Sequence, residues 1–283
     1  MHDSFGVREI FEEIRSILTD PDVNRLGPDC AEPVWDSPLI GVSRSDDPLY
    51  AEFQETIGPF HWTPLEALRT GFPEIDVAAS DLAVVVWALP QTAATRRDHR
   101  ACTTLPSRRW SLARHYGEAV NDRVRDRLVR VLVDAGYPAV APVRLPAYGR
   151  ETSERFGIAS RWSERHAAYA SALGTFGLCD GLITERGKAV RFGSVVAAID
   201  LPTTPRPYKS RTEYCLSFSE QGCDACIRRC PAGAISAEGH EKERCFAYIR
   251  ETMMPFVEGD IGIPAASCGL CQTRVPCESR RPR

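Results

Sequence analysis

Eleven cysteines stand in this sequence of 283 residues, and eight of them fall between Cys215 and Cys277. They run Cys215-x7-Cys223-x2-Cys226-x3-Cys230-Pro231, then Cys245, then Cys268-x2-Cys271-x5-Cys277. Clustered thiols at two- and three-residue gaps point to metal rather than to disulfides. Short gaps let successive thiolates wrap one centre, while the cysteine before Pro231 turns away to serve a neighbouring one. Ala232-Gly233-Ala234 supplies small residues, so backbone can lie close to inorganic sulfide and donate N–H bonds to it. Cys30, Cys102 and Cys179 stand apart and read as small buried thiols. Cys179 directly follows a Gly-rich segment and is the one worth testing.

Cys223 to Pro231 matches the tail of the bacterial ferredoxin pattern C-x2-C-x2-C-x3-C-P. Glu220 stands where that pattern has its first cysteine, so Cys215 is the nearest substitute, reached through a longer loop. Eight thiols make two sets of four. The crossed assignment puts Cys215, Cys223, Cys226 and Cys277 on one [4Fe–4S] cluster. Cys230, Cys245, Cys268 and Cys271 then hold the other. Two zinc sites of four thiolates each are the alternative, but the Cys-x3-Cys-Pro step and the small residues after it suit zinc knuckles poorly. Gly233 breaks the Cys-x3-Cys-x2-Cys spacing of a radical S-adenosylmethionine site. Two cubanes move electrons without catalysing anything themselves, so a larger body must hold what receives or delivers those electrons.

That body has to come from residues 1–205. The periodicity predicts an opening helix capped by Asp3 or Ser4, with Val7, Ile10, Phe11, Ile14 and Leu18 on one face. Leu82–Trp87 is short and β-branched, as a central strand should be. Ser107 caps a long helix to Asp134. It buries Val120, Val124, Leu128, Val131 and Leu132 and turns Arg123, Arg125 and Arg127 outward; Gly136 ends it. A strand at Ala139–Ala141, a helix capped by Ser163, a hairpin around Glu185–Lys188 and a strand over Gly193–Ile199 follow. Three prolines within Leu201–Pro207 mark a linker. The division is an α+β body, 1–205, and a small metal domain, 206–283.

Lys plus Arg is 35 and Asp plus Glu is 38, a net charge of −3 that is too balanced to predict nucleic-acid or membrane binding by itself. An apolar content of 43% with 26% charged residues is that of a globular protein. No apolar run approaches the ~18 residues that span a bilayer, and no signal peptide opens the chain. The expected location is cytoplasmic. No Gly-x-Gly-x-x-Gly follows a strand, so a dinucleotide cofactor is not supported.

The order of an α+β body, a Gly-rich segment and a two-cluster ferredoxin-like domain with a lone cysteine between its groups resembles the epoxyqueuosine reductases and, more distantly, the reductive dehalogenases. Both are corrinoid-dependent iron–sulfur reductases. The resemblance spans Tyr116 to Cys277 and is strongest over Ser163–Val196 and Cys223–Cys277. It implies a nitroreductase-like body followed by a bacterial-ferredoxin-like domain, with cobalamin held between the two and reduced by a nearby cluster. It also implies cofactor contacts from Gly174, Thr175, Phe176, Gly177, Arg191, Gly193 and Ser194.

His115, beside Tyr116, takes the place of the family's acid and is the implied proton donor. Ala247 replaces a small hydroxyl residue expected after the lone cysteine. The implied partners are a low-potential donor of the ferredoxin or flavodoxin type and a small or nucleoside-like substrate. A tRNA is a further candidate, although Arg280, Arg281 and Arg283 alone do not build a tRNA-binding face, and no room is expected after Cys277 for C-terminal helical repeats. Two rivals carry the same clusters: an electron-transfer or corrinoid-activating partner, and a redox-sensing or binding protein.

Overall fold

The computed structural model describes residues 6–283. Its body is a four-stranded sheet between two helical layers. The elements are α1 (Val7–Thr19), β1 (Leu39–Arg44), α2 (Pro48–Ile57), α3 (Pro64–Gly71), β2 (Ala83–Pro90), α4 (Ala93–Arg100), α5 (Arg108–Asp134) and β3 (Ala139–Val140). Then come β4 (Arg150–Ser153), β5 (Gly157–Ser160), α6 (Glu164–Ala170), β6 (Thr175–Phe176), β7 (Leu182–Ile183) and β8 (Val190–Ala197). The main sheet runs β1-β2-β8-β3 with every neighbour antiparallel. Mixed helix and strand of this kind is the expected α+β class.

β2 shows why the sheet needs cover on both sides. All eight of its residues are buried, and successive side chains point to opposite faces. Ala83, Val85, Trp87 and Leu89 join the core under α1 and α5. Val84, Val86 and Ala88 join Tyr50, Phe53, Leu68 and Trp162 on the other face. Ser107 caps α5 by accepting from the Trp110 N–H at 3.2 Å, and Gly136 ends it at φ 89°. Ser163 caps α6.

Four local expectations change. The caps expected at Asp3 or Ser4 lie outside the described residues, and the helix starts after Gly6, whose N–H reaches Glu9 at 2.9 Å. Phe11 is 37% exposed, off the buried stripe of Ile10 and Ile14. Arg125 is 2% exposed rather than outward. It is held by Glu118, Asp122 and Glu164 and donates to the Phe192 carbonyl at 3.1 Å. The turn at Glu185–Arg186 forms with a Thr184–Gly187 bridge, but its arms separate. β7 pairs with β6, and β8 pairs with β2 and β3.

The cysteine-rich region, built on α7 (Ala225–Arg228) and α8 (Lys242–Tyr248), is laced to this body. The linker is tied down, with Thr204 Oγ1 accepting from Val42 N–H at 3.0 Å and Arg206 pairing with Asp47. Lys188 N–H donates to the Cys277 carbonyl at 2.8 Å, and Ala189 N–H to Glu278 at 3.1 Å. Among the described residues no helix is long and apolar enough to cross a membrane.

Candidate functional site

Cys215, Cys223, Cys226 and Cys277 line one small cavity together with Leu178 and Lys188. Cys215 ends the segment before a single 3₁₀ turn, Cys226 rides on α7, and Cys277 arrives from the far end of the chain. Arg229 holds the two ends together. Its buried guanidinium donates to the Leu270 and Thr273 carbonyls at 3.2 and 3.1 Å.

Cys230 and Cys271 pack in the same cluster as Cys226 and Cys277, and Cys268 lies within charge range of Cys230 and Cys245. Burial pushes the Cys268 thiol up to about 11, and the sulfurs of Cys245 and Cys230 add to the rise while the Leu270 N–H opposes it. Ala234 N–H donates to Cys230 Sγ at 3.3 Å, as the small-residue run after Pro231 allows. Gly269 has φ 73°, and a Cβ there would strike the Trp110 ring. No group of three or more His, Cys, Asp or Glu among the described residues is gathered in the manner of a single-ion site.

A ninth cysteine sits where the two sets meet. Cys179 is 6% exposed and packs in one buried cluster with Cys226 of one set and Cys271 of the other. The neighbouring sulfurs of Cys226 and Cys271, then the Lys188 ammonium, hold the Cys179 thiol well below its ordinary range. Lys188 is 4% exposed, and its Nζ lies 3.2 Å from Cys179 Sγ. Burial opposes the lysine charge, yet the sulfurs of Cys179, Cys277, Cys271 and Cys226 hold it protonated. The sequence singled out Cys179 for its position after a Gly-rich segment but could not show the contact. Lys188 carried no signal at all beyond its place in the hairpin.

A cleft of about 360 Å³ opens beside Cys245. Its walls come from β5, the start of α6, β6 and α8, and they carry Phe156, Phe176 and Phe246. Arg150, Arg165, Arg211 and Lys242 reach it, with Asp180 the one acid among the described residues that line it. Asp180 tolerates φ 58° and accepts from His240 at 3.1 Å. Hydrogen bonds to Asp180 and Cys245 push His240 up to about 10, so it stays protonated.

Two more histidines line the same cleft. His61 Nδ1–H donates to the Ser160 carbonyl at 3.0 Å, which leaves Nε2 free to accept. Burial lowers the pKa of His61 and lowers that of His166 further. His166 packs on Phe53 and Phe176 at 4.8 Å from each and bonds Ser163 at 2.8 Å, the packing role its neighbours in sequence suggest.

Of the residues the resemblance implies for cofactor contact, Phe176 lines this cleft. The others have partners elsewhere. Gly174, at φ 157°, lies so near the Ile183 carbonyl that no side chain fits. Thr175 Oγ1 accepts from Tyr214 N–H at 2.9 Å, and Gly177 N–H donates to Gly181 at 2.8 Å. Gly193 makes room for the Trp87 ring, and Ser194 Oγ accepts from Trp162 Nε1 at 2.9 Å. Arg191 donates to Glu118 at 3.0 Å. Burial alone would raise the Glu118 pKa, but Arg191, Arg125 and Arg114 hold its carboxyl well below the usual range.

His115 and Tyr116 sit on α5, ring centres 4.8 Å apart. Tyr116 lines a different cleft, of about 420 Å³, with Gly27, Arg109 and Ile261. The geometry thus brings all eight predicted cysteines to one region but leaves His115 and Tyr116 outside the cleft that borders Cys245.

No family model and no curated relative matches the chain. Solved structures do. An epoxyqueuosine reductase is 17% identical, with a TM-score of 0.50, over 98% of this chain and 68% of that one. A second, with an epoxyqueuosine-modified tRNA-Tyr stem loop, is 17% identical with a TM-score of 0.51, over 96% and 64%. A reductive dehalogenase, tied to B12-dependent dehalogenation, is 13% identical with a TM-score of 0.54, over 96% and 36%. The chain shares their fold. The resemblance read from Ser163–Val196 and Cys223–Cys277 therefore has its structural counterpart. The chain spans about two thirds of the reductases' length and about one third of the dehalogenase's.

Proposed function

We propose that this chain is an iron–sulfur oxidoreductase that carries electrons from its surface, through two thiolate-held clusters, to a corrinoid and substrate at the Cys245 cleft. The observation that carries the reading is buried Cys179, 3.2 Å from the Lys188 ammonium and packed among cysteines of both proposed sets, with Cys223 beside a surface and Cys245 beside a cleft. The donor chemistry fits two [4Fe–4S] clusters. Each set offers four thiols, small residues leave room for sulfide, and backbone N–H groups already point at sulfur. The buried ammonium of Lys188 offsets the negative charge such thiolates bring.

The cleft fits a large planar ligand that carries an anionic group. Phe176 and Phe246 offer apolar surface, while Arg150, Arg165, Arg211 and Lys242 offer positive charge. These residues would hold one part of a corrinoid; a reductive dehalogenase of the same fold is tied to B12-dependent dehalogenation. When bound, cubanes supply single electrons at low potential, and the corrinoid supplies a strongly reducing centre. The protein's part is to position and protonate. His240, protonated and fixed by Asp180, presents a proton beside Cys245. Neutral His61 and His166 keep further positive charge off the opposite wall. A formed cleft supports an enzyme with its own substrate over a carrier that only reduces a partner.

The test is a hydroxocobalamin titration of anaerobically reconstituted protein. The expected result is saturable binding and a cobalamin spectrum that changes on low-potential reduction, weakened about tenfold by R211A/K242A. A protein that holds iron but never binds cobalamin would overturn the corrinoid step and leave an electron carrier.

A further inference from the structure

We infer that the arginine-rimmed surface beside Cys223 is the docking face for an acidic, one-electron carrier protein. The inference rests on the cluster reading above and gives it a point of entry. Cys223 belongs to two spaces at once. It lines the buried cavity of its own set, and it lines an outer cleft of about 670 Å³. On the cluster reading, Cys223 gives this set an opening to the outside.

The charge around that opening is strongly one-sided. Arg100, Arg228, Arg274 and Arg280 rim the outer cleft, and its two acids are already taken. Asp224 pairs with Arg228. Glu278 is buried, accepting from Arg100 at 2.9 Å and from the Arg274 backbone N–H at 2.7 Å. Arg274 and Arg280 are exposed and make no ion pair among the described residues. The adjoining cleft adds Arg281 and Arg283 against Glu185. A local positive field of this kind stands out on a chain whose net charge is −3.

Phe218, 55% exposed, lies on the 3₁₀ turn that follows Cys215, and Leu216 of the same turn lines the adjoining cleft as an apolar point of contact. Electron-transfer encounters are small and brief and depend on charge steering more than on buried area. A negatively charged carrier suits each of these features. RNA would also be drawn to arginines, but an RNA substrate has to present its reacting base at the Cys245 cleft, which has cations of its own.

The experiment is stopped-flow reduction of anaerobically reconstituted protein by a reduced, strongly acidic flavodoxin, with dithionite as the small-molecule control. The R274E/R280E variant should lose at least about tenfold in the bimolecular rate at low salt. The loss should shrink at high salt, and the dithionite rate should not change. R274Q/R280Q should fall between the two and serves as the readout if charge reversal impairs folding. An unchanged flavodoxin rate in variants that hold full iron would overturn the docking face while leaving the clusters intact. If a tRNA stem loop lost affinity for the variant while the flavodoxin rate stayed the same, the face would belong to nucleic acid and the proposal would fall. Wild-type protein that bound no iron would overturn the cluster reading and this proposal with it.

Discussion

The two thiol sets sit in unlike surroundings. Cys215, Cys223, Cys226 and Cys277 enclose a space of about 20 Å³ beneath an arginine-rich surface. Of Cys230, Cys245, Cys268 and Cys271, Cys245 borders a cleft of about 360 Å³ faced with phenylalanines and three histidines. On the proposed reading, the first side meets another macromolecule and the second holds a smaller one. Cys179 and Lys188 occupy the seam between them. The difference teaches that a symmetric pair of four-cysteine sets can be given direction by what surrounds each set.

The comparison breaks most completely if the body that both sides share is removed. Arg125 ties α5 to β8 and α6 from a fully buried position. Arg125→Met leaves Glu118 and Glu164 without their central cation. It should cost about 3–5 kcal/mol of stability, read as a lower urea midpoint with both sets losing iron together. Loss of iron from one set alone would show that the sides do not depend on a common body.

A smaller change should separate them. Gly187 has φ 76°, and a Cβ there would strike the Glu278 carbonyl in the segment that delivers Cys277. Gly187→Ala should cost roughly 1–3 kcal/mol and lower the iron content by one cluster, from the Cys277 set. Full iron content in this variant would remove Gly187 from the seam.

The smallest effect is on pH. His61 and His166 face the cleft, and burial lowers both pKa values. An unfolded histidine takes up a proton near pH 6.5, so below that pH protonation favours the unfolded chain. Stability should fall as the pH drops below about 6.5, and His61→Gln should flatten the fall. Urea midpoints at pH 7.5 and pH 5.5 measure it. A midpoint that rises on acidification would contradict the neutral state of these rings.

Much of this was legible in the residues, for physical reasons. Close cysteine spacing constrains metal chemistry without any knowledge of tertiary structure, and the β-branched run at Leu82–Trp87 could hardly be anything but a central strand. Ser107 and Ser163 announced their helices because a hydroxyl before an amphipathic run satisfies a free N–H. Arg125 was misread because periodicity assigns a charge to the outside and is blind to a buried carboxylate cluster contributed by other elements. The Gly-rich segment drew attention as a ligand platform, yet Gly174 and Gly193 are glycines because the protein's own backbone and Trp87 come close. His61 meets Arg211 and Lys242 at the cleft from more than a hundred residues away, and no local pattern links them.

The central claim is that eight cysteines form two separate cluster sites. Iron per chain in the anaerobically reconstituted Cys223→Ala and Cys245→Ala proteins tests it most directly. The account predicts about eight irons in the unaltered chain, about four in each single variant, and almost none when both are combined. A colourless unaltered protein, zinc in place of iron, or a single variant that keeps all its iron would contradict it.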